Sequence, residues 1–354
     1  MSEQASEVPP ASPSPAAAET ATALDPVEPL HGAVGAGEMP RRIAVVGEIP
    51  FAGRALVRAL VRRSLPVRVL CPDEQADQAT RSAGEVQVVP ETWPKGTLAV
   101  EVARGDLDSP TALAAVLEGA YGACLLSPIT MDGRVYRAQQ HLEDVRRFVQ
   151  AAQNAGVQKL VYHSALGAHV KALSLTLRAA AAAEEVIRPA QCRSYLVRTG
   201  PLVGPGDGFL SNIVDAVRRP SPSVIVWGYG STTVQPLHVD DMGRCMARLL
   251  VDKPEELQPG RYSLAGPETV TLLELLDRAA ARLGRSKLRF HIPLFVLRLA
   301  VLVNPSQGFR ERVDLLFDGF CAEHNDAPRL LGPGDELVPL KQTLDALLAA
   351  PSTV

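Results

Sequence analysis

The sequence predicts an α/β fold: a doubly wound parallel sheet followed by a smaller, mainly helical C-terminal lobe. Three observations lead there. The stretch Arg41–Asp73 reads as an apolar run, a glycine turn, an amphipathic helix and a second apolar run. Strand-like and helix-like segments then alternate without a break to Arg198, the order that builds a parallel sheet with helices on both faces. Beyond Gly204 that rhythm loosens and helical patterns take over.

Residues 1–40 are mostly Ala, Pro, Ser and Glu. They bury too little apolar surface to offset chain entropy, so a disordered tail is expected. Ile43–Val46 is the first strand and ends on Gly47; Glu48-Ile49-Pro50-Phe51-Ala52 then leads to Gly53. In the helix that follows, Leu56, Val57, Leu60 and Val61 share one face, with Arg54, Arg58 and Arg62 opposite. Val67–Cys71 is the second strand. Strand, glycine turn, helix and strand open a dinucleotide-binding fold, where a helix N-terminus faces a pyrophosphate. Here the middle glycine place of the fingerprint holds Pro50.

Glu74–Ala83 is polar and predicted helical, and Glu85–Val89 with Leu98–Ala103 is predicted as a hairpin around the turn-rich Glu91–Gly96. Gly105-Asp106-Leu107 ends this region. Ser109 as N-cap, with Pro110 at the first helical position, starts a helix to about Leu117. Ala123–Ser127 is a buried strand ending at Pro128, and a helix over Val135–Ala155 stops at Gly156. Strand Lys159–Ser164, helix Leu173–Arg188 and strand Ser194–Arg198 complete the alternation.

After a loop at Pro205–Gly208, Val224–Trp227 reads as a short strand and Met242–Leu250 as a helix, with Asp240 and Asp241 as its expected caps. Tyr262–Leu264 is another short strand, and Thr271 is the expected cap of a helix to Leu283. The longest strongly apolar stretch, Ile292–Val303, has twelve residues and is too short to span a bilayer. A buried helix of the second lobe is expected there, with a helix lying against a membrane or a partner as the alternative. The expected organisation is a tail over 1–40, a nucleotide-binding-like domain over 41–204 and a C-terminal lobe over 205–354, with 234–250 packing back on the first domain.

The 354 residues carry 46% hydrophobic and 21% charged side chains, ordinary for a globular protein with a substantial core. A net charge of -3 gives no bulk electrostatic reason to expect nucleic-acid binding. The five cysteines are scattered and never form a CxxC pair. They read as reduced thiols of a cytoplasmic protein, with no metal cage or disulfide framework. The first Lys or Arg is Arg41, so no positively charged secretory leader is expected.

Several motifs stand in order: GEIPFAGRALV, ARGDLDSP, LEGAYGACLLSP, NAGVQKLVYHSALGA, YLVRTGPLVGPGDGFL, VQPLHVDDMGRCMARLL and YSLAGPETVTLLELL. On these the chain from Arg41 to about Leu348 resembles an atypical extended short-chain dehydrogenase/reductase. The branch it resembles holds the NmrA-type proteins and the NAD(P)H-binding accessory subunit of respiratory complex I. The resemblance implies a Rossmann domain for NAD or NADP, with the smaller lobe closing over the nicotinamide end. It assigns the dinucleotide to Gly47, Ile49, Pro50, Phe51, Ala52 and Gly53 around the turn, to Asp106 and Leu107 at the adenine and to Pro128. Ser164 matches a serine that helps hold a substrate carbonyl.

Each site departs from that pattern or leaves it open. Pro50 removes a backbone donor; if that donor met phosphate, the loss is about 1.5–3 kcal/mol. Glu48 adds a carboxylate where phosphate is expected. Pro72 stands where NADP-preferring relatives have arginine, and Asp73 either binds ribose hydroxyls or caps a helix. Active relatives use a Tyr and a Lys four residues on; their places here hold Thr176 and Ala180, so no catalytic residue is assigned. His163 and Ser164 are adjacent on a strand and face opposite sides, and His163 reads as a packed histidine. His238 with Asp240 and Asp241 is too few groups for a metal cage. The expected function is a weak or lost NAD(P) binder acting as sensor, regulator or scaffold, with a possible protein partner or membrane-associated complex at the C-terminal lobe. The alternatives are an active oxidoreductase or isomerase with another proton donor, and a structural subunit that binds no nucleotide.

Overall fold

Seven parallel strands form the centre of the molecule. The computed structural model describes residues 41–72, 99–127, 138–252, 257–303, 306–318 and 320–349. The expected tail, the Glu74–Ala83 helix, the Glu85–Val89 hairpin arm with its Glu91–Gly96 spacer, Asp73 and Pro128 lie outside them. Strand β1 (Arg42–Gly47) leads through the glycine turn to α1 (Arg54–Arg62) and β2 (Val67–Cys71). Next come β3 (Val100–Arg104), α2 (Pro110–Leu117), β4 (Ala120–Leu126) and α3 (Ala138–Asn154). Then follow β5 (Lys159–Ala165), α4 (Leu175–Ile187) and β6 (Arg193–Thr199). Ser109 caps α2 as expected, its hydroxyl accepting from the Ala112 N–H.

Strand alternation sorts the side chains onto two faces. Ile43 and Val45 of β1 face α1, where Leu56 and Leu60 are fully buried. Ala44 and Val46 face α2 and α3, meeting Leu113, Leu117, Val145 and Phe148.

The chain continues through β7 (Leu202–Val203), α5 (Leu210–Arg218), β8 (Ser223–Trp227), β9 (Thr233–Val234) and β10 (Leu237–His238). It then returns to the sheet. Helix α6 (Val239–Val251) packs on α1, and β11 (Gly260–Leu264) pairs in parallel with β6. The sheet order is β11-β6-β5-β4-β1-β2-β3. Gly243 makes the α1–α6 contact possible, since a Cβ there would stand 2.7 Å from the Ala55 carbonyl oxygen. Lys159, fully buried at the start of β5, donates to the Leu249 and Asp252 carbonyls at the end of α6, where a helix C-terminus favours a cation.

One expectation needs correction here. His238, not an aspartate, caps α6: its ring nitrogen accepts from the Asp240 N–H at 3.2 Å. Asp240 and Asp241 sit in the first turn, pairing with Arg58 at 2.8 Å and Arg244 at 2.6 Å.

The remaining elements build the lobe: β12 (Val270–Thr271), α7 (Leu272–Arg282), β13 (Leu288–Ile292), α8 (Leu294–Val303), α9 (Gln307–Asp318), α10 (Ala327–Leu331) and α11 (Leu340–Ala349). Thr271 starts α7 with a reciprocal capping box to Glu274. Helices α5, α7 and α11 share a separate core that includes Val214, Leu275 and Leu344. Helix α8 is a second correction: only Leu297 of it is buried, so the apolar stretch expected inside the lobe lies on its surface.

Gly47 carries a φ of +103°, and a Cβ on it would meet the Leu126 carbonyl oxygen at 2.1 Å. Gly47→Ala is therefore expected to cost at least about 2 kcal/mol by urea unfolding, from the left-handed backbone and the clash together. A loss under about 0.5 kcal/mol would show that β1 and β4 part without cost.

Candidate functional site

Parallel strands end on the same side, so β1 to β6 present their last residues along one edge. The chain leaves β1 and β4 on opposite sides, since β2 follows one way and β5 the other. The crevice of an open sheet lies at such a switch point. Gly47 stands in it, and the Glu48 N–H donates to the Leu126 carbonyl at 3.0 Å.

From Glu48 the backbone makes one wide helical turn, Ile49–Gly53, before α1. The Gly53 N–H closes it on the Glu48 carbonyl at 3.0 Å. Pro50 occupies an exposed first-turn position, where a backbone N–H has no intrahelical partner in any case. Two of the donors that remain are engaged: the Glu48 carboxylate accepts from the Phe51 N–H at 3.2 Å and the Ala52 N–H at 2.8 Å. In a nucleotide-binding turn such N–H groups meet a phosphate. Here the chain's own carboxylate stands in for that anion.

Below the turn lies a small pocket of about 60 Å³, against roughly 300–1,000 Å³ for ligand pockets generally. Glu48, Phe51 and Ala52 form its roof. Ser127, His163, Ala165 and Thr199 come from the strand ends, and Phe209 and Phe320 cover it from the lobe. His163 bonds Thr199 Oγ1 at 2.8 Å. Behind Ser127, His141 bonds the Tyr162 hydroxyl at 2.8 Å. Burial lowers both imidazoles to about 4, so each is neutral at pH 7. Burial also raises the Cys71 thiol to about 11 and the Cys245 thiol to about 12, which leaves these sulfurs poor nucleophiles.

The expected site residues divide. Gly47, Ile49, Phe51, Ala52 and Gly53 come together at the crevice, with Pro50 on its outer rim. Asp106 is exposed beyond β3, and Leu107 packs on the α2–α3 side of the sheet. Pro128 lies outside the described residues. Ser164 is not among the residues lining the pocket. It faces the opposite side of β5 from His163, and its hydroxyl donates to Glu184 at 2.7 Å. Glu184, 1% exposed, also receives both prongs of Arg198 at 2.7 Å and Arg261 at 3.1 Å. That cluster ties α4 to β5, β6 and β11 and gives Ser164 a structural partner.

Thr176 and Ala180 are buried on α4, and neither lines the pocket. The Thr176 N–H is held at 3.0 Å by Glu311 of α9. Glu311 also accepts from the Leu175 N–H and the Ser174 hydroxyl, while Asp318 takes the Leu173 and Ser174 N–H groups. Sequence reasoning missed this clamp and the pocket role of His163. For His163 the signal was present, since alternation from inward-facing Val161 puts both on one side of β5.

The profile of the NmrA-like family matches residues 39–315. Among curated proteins, ceramide reductase of Caulobacter vibrioides is 30% identical over 203 residues, 56% of this chain and 57% of that protein. NADH dehydrogenase [ubiquinone] 1 alpha subcomplex subunit 9, mitochondrial, of Arabidopsis thaliana is 29% identical over 140 residues, 40% of this chain and 34% of that protein. The chain thus spans less than two thirds of either relative. Triphenylmethane reductase of Citrobacter sp., solved with NADP(H), superposes with a TM-score of 0.65 at 17% identity, covering 86% of this chain and 99% of that one. The NADPH-dependent quinone oxidoreductase of Escherichia coli, solved with NADPH, gives 0.65 at 18% identity, again covering 86% and 99%. At these identities the likeness is one of fold.

Both buried histidines are neutral in the folded chain until the pH falls to about 4, whereas in the unfolded chain they protonate near about 6.5. Their contribution to stability is complete above about pH 6.5 and is lost as the pH falls toward 4. Each is expected to withdraw about 3 kcal/mol across that window. Urea unfolding at pH 7 and pH 4.5 measures the loss, and His141→Gln with His163→Gln should flatten it. An unchanged slope in the double variant would place the acid sensitivity elsewhere.

Proposed function

We propose, on the premise that this chain belongs to the NmrA-like family, that it is a weak NAD(P) binder serving as sensor, regulator or scaffold rather than as a reductase. The observation that carries this reading is the Glu48 carboxylate on the Phe51 and Ala52 N–H groups. A pyrophosphate seated in the turn has to displace that carboxylate. The exchange replaces one anion by another on the same donors, so the hydrogen bonds gained and lost nearly cancel. The displaced Glu48 would then stand beside the phosphate as a like charge, which opposes binding further. The glycine turn therefore fits the dinucleotide in its backbone course but not in its charge.

The second support is the chemistry missing from α4. A phenol activated by an ammonium is worth about 10²–10⁴-fold in proton transfer. Thr176 offers no such acid and Ala180 no cation. The reading of an active oxidoreductase or isomerase draws on one feature, the His163–Thr199 pair lining the pocket. Its imidazole is neutral at pH 7 and so is not a standing acid.

Titration with NAD, NADH, NADP and NADPH, followed by melting temperature and reduced-cofactor fluorescence, tests the proposal. Wild-type affinity is expected in the millimolar range, worth only about 4 kcal/mol. Glu48→Ala should bind at least about tenfold tighter, the value of one charge-assisted bond no longer displaced. Glu48→Gln controls for loss of the helix cap, and Pro50→Gly alone should change affinity less. If neither Glu48 variant binds tighter than wild type, the carboxylate does not limit the site. Turnover of NADPH with quinones or aldehydes, lost in His163→Gln, would favour the enzyme instead.

A further inference from the structure

Helix α8 carries its apolar stripe outward. Phe295, Leu299, Leu302 and Val303 follow the spacing of one helix face, and they are 72%, 60%, 77% and 82% exposed. The strand just before it also carries exposed apolar groups. In the two-stranded pair β8–β13, Phe290 lies opposite Ile225 and Leu288 opposite Ser223. Val224 and Val226 alternate inward and are buried, which leaves Ile225, Leu288 and Phe290 exposed on the outer face. Soluble domains rarely show a run of large apolar groups of this kind without a partner for it. Among the described residues no helix is long and apolar enough to cross a membrane.

The charges around the stripe favour an anionic partner. From Arg285 to Arg312 the sequence has six Lys or Arg (Arg285, Lys287, Arg289, Arg298, Arg310 and Arg312) and one acidic residue, Glu311. Glu311 is buried and committed to the start of α4. The whole chain, by contrast, carries a net charge of -3. Arg298 lies over the Phe317 ring at 4.2 Å, at the flank of the stripe. Arg289 pairs with Asp277 at 2.6 Å and Arg310 with Asp314 at 3.6 Å; the Arg289 side chain is half-buried and that of Arg310 remains largely open to solvent.

We propose that the α8–β13 face docks the protein on an anionic lipid bilayer, with α8 lying in the interface and the basic residues meeting lipid phosphates and carboxylates. An exposed apolar helix face with Lys and Arg in the segments beside it offers apolar groups to a membrane interface and cations to anionic headgroups. A second copy of this chain fits less well. A two-fold dimer through this face would bring two basic rims together, whereas anionic headgroups neutralise them.

The test is flotation of the full chain with phosphatidylcholine vesicles, with and without phosphatidylserine. Partition into the anionic vesicles is expected to be at least about tenfold stronger and to fall with added salt. Leu299→Asp with Leu302→Asp should abolish it while the circular dichroism spectrum and melting temperature stay unchanged. Arg289→Glu with Arg310→Glu, which leaves the apolar stripe intact, should remove the preference for phosphatidylserine. Equal or absent partition into the two vesicle types overturns the proposal. So does sedimentation showing a dimer that the double leucine variant converts to monomer.

Discussion

The contact between Gly47 and the Leu126 carbonyl fixes where everything else can stand. A side chain at residue 47 would collide with that oxygen at 2.1 Å, so β1 and β4 lie side by side at their ends only because glycine is there. The Glu48 N–H then bonds the same carbonyl and sets the start of the turn. From this anchor α1 is aimed back along the sheet, onto α6 through the gap above Gly243. Helix α6 in turn delivers the chain to β11 at the far edge of the sheet. One backbone approach thus places the crevice, the turn and the helix that faces it.

Around that crevice the chain repeatedly satisfies its polar groups with its own carboxylates. Glu48 takes the donors of the glycine turn. Glu311 and Asp318 take the N–H groups at the start of α4. Glu184 binds Ser164, Arg198 and Arg261 beneath β5. Removing one partner from a buried ion pair such as Glu184–Arg198 typically costs about 3–5 kcal/mol, so that cluster resists being opened. Proteins solved with NADP(H) share this fold, and in this chain the polar groups at the turn and at the start of α4 meet internal carboxylates. That difference separates a shared backbone from a shared chemistry.

The lobe uses its material differently. Helices α5, α7 and α11 close a core of their own, and Phe209 and Phe320 lie over the pocket. Helix α9 holds the start of α4 through Glu311 and Asp318, while α8, between β13 and α9, leaves its stripe in solvent. The clamp on α4 and the outward face of α8 therefore belong to neighbouring helices.

The sequence alone determined the order of the central strands and helices, because the period of apolar residues and the caps at Ser109 and Thr271 are local properties. Opposite facing of His163 and Ser164 followed in the same way from strand alternation. Helix α6 began earlier than expected because the His238 ring, not the aspartate carboxylates, reached a free N–H. Tertiary structure alone decided the rest. Whether Ser164 met the pocket or Glu184 depended on a residue twenty positions away. Whether Ile292–Val303 was buried depended on what packed against it, and apolar pattern states only that a helix has an apolar face, not that the fold supplies a surface to cover it.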